Sequence, residues 1–122
     1  MSDNLLIIML NTDYSNPVGL VSPFFQATVA AAMEYDVEIV LDGCAARLAI
    51  KGEAEKLLVR ETGDKTVYDV IKDAYEVGVK FKLGASVSVS EDEELIPEIE
   101  DTVGDAYIIG EVMDNNTVTL TY

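Results

Sequence analysis

The chain opens on an uninterrupted apolar run, Leu5-Leu6-Ile7-Ile8-Met9-Leu10, ended by Asn11-Thr12-Asp13. A short run of this kind, apolar at every position, predicts a strand buried on both faces of a parallel sheet. Val37, Ile39, Val40 and Leu41 repeat the pattern before Asp42-Gly43. From Val79 to Leu83 the pattern is Val, Lys, Phe, Lys, Leu, a third strand with one solvated face, and Thr117 to Tyr122 alternates as a last strand. Between them the period lengthens. Thr66 to Val77 places Val67, Val70, Ile71 and Ala74 on one helical face and Asp69, Lys72, Asp73 and Glu76 on the other, with Gly78 at the C′ position.

Other stretches are less regular. Asn16-Pro17 and Ser22-Pro23 each read as a cap followed by a first-turn proline, so Pro23 predicts a kink or a restart at Ser22. The helix after Pro23 is apolar nearly all round to Met33, which points to burial on both sides: against the sheet, and against another subunit or, as the alternative, a cofactor groove. Ala45 to Ile50 reads as a short helix. Leu57 to Val59 is too short to type, and Glu61 to Asp64 and Asp114 to Asn116 are turns. Val87 to Ser90 fits a strand extension or a loop. Ser90 with Glu93 forms a capping-box pattern before an acidic helix limited by Pro97, and Ala106 to Met113 suits a helix or a strand. The order predicts a three-layer α/β/α sandwich with a mostly parallel sheet of four to five strands, in one domain over residues 1–122.

In such sheets ligands collect at the carboxyl ends of the strands. That rule selects Asn11 and Asp13 after the first strand, Asp42 and Gly43 after the second, and Gly84, Ala85 and Ser86 after the third as binding candidates. Cys44, the lone cysteine, stands at the second of these turns as the candidate thiol. It has two readings. A helix start would lower its pKa and make it reactive; otherwise it is a small apolar residue of the kind often found buried. Asp42 opposes a thiolate, and with no histidine in the chain a Cys–His pair cannot form.

Composition narrows the field. A net charge of −15, from 23 acidic and 8 basic side chains, argues against nucleic acid and anionic membranes as partners, and fits a salty cytoplasm. The one cysteine suits a reducing compartment, the N-terminal run is too short and unflanked for a signal peptide, and no stretch approaches a membrane span. A cytoplasmic protein is expected. No GxGxxG, Walker A or GxSxG pattern is present, and without histidine a zinc site has no ligand set, so neither metal nor cofactor is expected.

Three stretches, taken in order, carry a resemblance: ATVAAAMEYDVEIVLDGCAARLAIKG, TVYDVIKDAYEVGVKF and EELIPEIEDTVGDA. They are similar to the alanine-rich helix, strand and Asp-Gly turn, to the helix and strand before the functional turn, and to the closing segment of the DsrE/DsrF-like family of sulfur-relay proteins. The resemblance implies a cytoplasmic α/β protein assembling as a homo-oligomer, a trimer or hexamer, with sulfur-relay proteins as partners. It also implies a persulfide cysteine just after the third strand, where this chain has Gly84 and Ala85. The expectation is a non-catalytic subunit or small-ligand binder, not a catalyst by itself. The alternatives are a sulfur carrier that uses Cys44, and an oligomeric interaction protein without a sulfur connection.

Overall fold

The computed structural model describes residues 3–60, 63–85 and 89–122. Among these, five strands form one parallel sheet: β1 (Asn4–Met9), β2 (Asp36–Leu41), β3 (Lys80–Gly84), β4 (Ile99–Val103) and β5 (Thr117–Thr121), in the order β4-β3-β2-β1-β5. The chain steps in one direction from β1 to β4 and then crosses back to β5. Right-handed crossovers therefore place the connections before β4 on one face and the last helix on the other. The outcome is the α/β sandwich expected from the pattern.

Helices α2 (Ser22–Ala32) and α3 (Val67–Glu76) cover the first face, where Phe24, Ala27, Val70 and Ile71 pack with Ile7, Ile39, Phe81 and Leu83. Phe24 and Phe81 lie 6.1 Å apart in a tilted pair. Pro23 does force a restart: α1 (Pro17–Leu20), capped by Asn16, is a separate turn. Ser22, however, is the first residue of α2 and makes no cap bond, because the chain turns directly from α1 into α2 through Val21. In α3 the Thr66 cap and Asp69 exchange bonds with each other's backbone, and Gly78 takes φ 107°, a conformation costly for any other residue. The short helix after β2 winds as a 3-10 helix, Gly43–Ala49.

On the second face α4 (Asp105–Val112) resolves the ambiguous segment as a helix and sets Ile108 on Leu6, Val40 and Val103. The solvated face expected of β3 holds at the exposed Lys80 and is corrected at Lys82, which Tyr107 covers and whose side chain keeps 12% exposure. The acidic helix after Ser90 does not form. The Ser90 hydroxyl still donates to Glu93 at 3.0 Å, but Glu93 is drawn to Arg47 and the segment closes as a turn. Beyond Pro97 the acidic stretch becomes β4, and Glu98 is buried, accepting from the Tyr68 hydroxyl at 3.0 Å. Glu61, Thr62 and Ser86 to Ser88 lie outside the described residues. No helix among those described is long and apolar enough to cross a membrane.

Candidate functional site

Parallel pairing of β1, β2 and β3 brings their carboxyl ends to one edge, so the candidate turns do share a side of the sheet. They divide into two groups there. Asn11 and Asp13 line a cavity of about 280 Å³ with Asn16, Leu20, Pro23 and Tyr122. Asp42, Cys44 and Gly84 lie outside it. The cavity occupies the crevice between β1 and β5, where the chain reverses its direction across the sheet. Asp13 accepts from the Ser15 hydroxyl at 2.5 Å and its amide at 3.0 Å, and these bonds hold its carboxyl below the usual range. The Asn11 amide is spent on the Tyr122 carbonyl at 3.1 Å.

The second group is built around Asp42. Its Oδ1 accepts from the Gly43 amide at 2.9 Å, and Gly43 turns with φ 49°, close under the Leu10 carbonyl. The Asp42 carboxylate also lies directly on Gly84, so a Cβ at position 84 would overlap it. Gly84 is buried while Ala85, next to it, is exposed and donates its amide to Val103 O at 2.7 Å. A side chain at position 84 therefore requires the Asp42 carboxylate to move, whereas position 85 is exposed and already carries a Cβ. Ser86, the remaining candidate, lies outside the described residues.

Cys44 is exposed, which corrects the buried packing reading. Its amide donates to Leu10 O at 3.0 Å and its carbonyl accepts from the Tyr14 hydroxyl. Burial raises the Tyr14 phenol to about 12, with the neighbouring Cys44 adding to it, so Tyr14 stays a protonated donor at neutral pH. A neighbouring cation is one of the features that stabilise a thiolate. Arg47, on the same 3-10 turn, has both ends engaged, on Glu53 at 2.6 Å and Glu93 at 2.9 Å.

Tyr14, Tyr122 and Arg47 did not stand out in the sequence. The position of Tyr14 and Tyr122 directly after strand-end segments was the available signal; the Arg47 clasp spans 46 residues to Glu93 and leaves no local trace. No family model and no curated protein matches this chain.

Proposed function

We propose that this chain is a DsrE/DsrF-like module that keeps the sulfur-relay scaffold without the transfer thiol and serves as a non-catalytic subunit of a cytoplasmic homo-oligomer in sulfur metabolism. The order and spacing of its segments support the kinship, and the parallel α/β sheet is compatible with it. The observation that carries the loss of transfer is Gly84. In the resemblance the sulfur-bearing residue follows β3. Here that corner holds a glycine filled by the Asp42 carboxylate and an alanine, neither of which binds sulfur. The Asp42 carboxylate at this corner makes the surroundings unfavourable to an anionic persulfide.

One observation favours a second reading, a carrier that uses Cys44: the thiol is exposed at the same sheet edge. Alkylation rates separate the two. At about pH 6, where only thiols of depressed pKa are ionised, Cys44 is expected to react no faster than free glutathione. After treatment with polysulfide and desalting, it is expected to pass no sulfur to an acceptor thiol. Fast labelling, or transfer that a C44S variant abolishes, overturns the non-transferring role and establishes the carrier.

A further inference from the structure

The amino ends of the strands hold a different kind of site, on the face that α4 covers. A cavity of about 210 Å³ opens there, lined by Asn4, Glu38, Lys82, Tyr107, Glu111 and Thr117. We propose that it binds a short linear zwitterion, an amino acid with its carboxylate and ammonium at opposite ends, oriented across the strands.

The lining carries charges of both signs on different elements. Lys82, with the exposed Lys80, stands on β3. Asn4 and Thr117 stand on β1 and β5, two and three strands away, and Glu111 comes from the end of α4. Strand spacing puts these walls roughly 10–14 Å apart at the backbone, a span that side chains reduce to the length of a small linear molecule. Glu38 lies between them.

Hydrogen-bonding capacity is left over at both ends. The Lys82 ammonium carries three donors but has one bond, to the Tyr107 hydroxyl at 3.2 Å; Glu38 is 3.9 Å away, beyond hydrogen-bond length. Tyr107 in turn donates to Glu38 at 2.9 Å. At the other end the Thr117 hydroxyl oxygen is buried without a partner. Lys82 and Glu38 keep only 12% and 16% side-chain exposure, and apolar residues would fill such a face at no loss of stability. Burial lifts the Glu38 carboxyl above its ordinary range, and Glu111 adds like-charge repulsion. A ligand ammonium at Glu111 relieves that repulsion, and a ligand carboxylate takes the spare Lys82 donors. Asp36, Glu38 and Glu111 against Lys80 and Lys82 leave an excess negative charge, which selects against a simple anion.

Three probes of one chain length test this: γ-aminobutyrate, butyrate and butylamine, titrated into the isotope-labelled full chain while the backbone amides of Asn4, Glu38, Lys82 and Thr117 are followed. The expected result is saturable shifts with γ-aminobutyrate at roughly tenfold higher affinity than either half-molecule. The E111Q and T117V variants, which leave the Lys82–Tyr107–Glu38 chain intact, are expected to weaken γ-aminobutyrate without weakening butyrate. Equal binding of butyrate makes this an anion site and equal binding of butylamine a cation site, and either overturns the proposal, as does the absence of shifts with γ-aminobutyrate.

Discussion

Two adjacent residues, Gly84 and Ala85, respond to opposite constraints although both are small. A Cβ at 84 meets the Asp42 carboxylate, which must swing away from the bond its Oδ1 accepts from the Gly43 amide to make room. Replacement by alanine is expected to cost about 1–3 kcal/mol, the usual range for overpacking, read as a lower urea midpoint at unchanged slope. A85C, at the exposed neighbour, is expected to keep the parent midpoint and to place a second alkylatable thiol at this edge. Equal stability of the two variants would mean that Asp42 moves aside freely. In the sequence the pair read as strand-end binding candidates and as the place where the resemblance implies a cysteine. The reason for the glycine was hidden because the residue that occupies its space lies 42 positions earlier and becomes a neighbour only through sheet register.

At the scale of elements, legibility follows how local the determinants are. Everything that makes α3 a helix lies within it or beside it: the buried stripe, the Thr66–Asp69 box and Gly78. T66A is expected to cost about 1 kcal/mol by urea unfolding, as the loss of a cap does. Asp69 adds a pH dependence, since the Thr66 amide, at 2.9 Å, holds its carboxyl below the ordinary value. An acid of depressed pKa stabilises the fold above its unfolded pKa, about 3.9, and the contribution disappears as pH falls through the folded value. D69N is therefore expected to be less stable than the parent at neutral pH and to converge with it on acidification; a gap that persists in acid refutes the charge contribution. The element missed was β4, whose Ile-Glu-Asp-Thr-Val looks like part of a solvated acidic run. Its strand character comes from pairing with β3, and its exposed carboxylates suit a sheet edge. Ser90 and Glu93 show the converse, with capping bonds made and no helix following, because local bonds did not outweigh Pro97 and the pull of Arg47.

For the molecule as a whole, the distribution of charge matters more than its sum. Copies carrying −15 repel one another, and at physiological salt that repulsion reaches about 8 Å. Association therefore needs a surface without charge. From Tyr14 to Met33 the sequence has no ionisable acid or base other than the Tyr14 phenol, and Val29 on α2 is 59% exposed and Met33, at its C-cap, 62%. Strand β5 continues that surface: Val118 and Leu120 pair with Leu5 and Ile7 on the α2 side yet stay exposed, while the Thr117 and Thr119 hydroxyl oxygens are buried. The alternation predicted for this strand is present with its apolar half turned outward, the arrangement of a surface that another copy covers. Light scattering at micromolar concentration is expected to give a mass above the monomer, rising as salt screens the repulsion. The paired substitution V29E and V118E, both at exposed positions, is expected to return a folded monomer. A parent chain that is monomeric at high salt would remove the homo-oligomer from the proposed function and leave this charge-free face to a different partner.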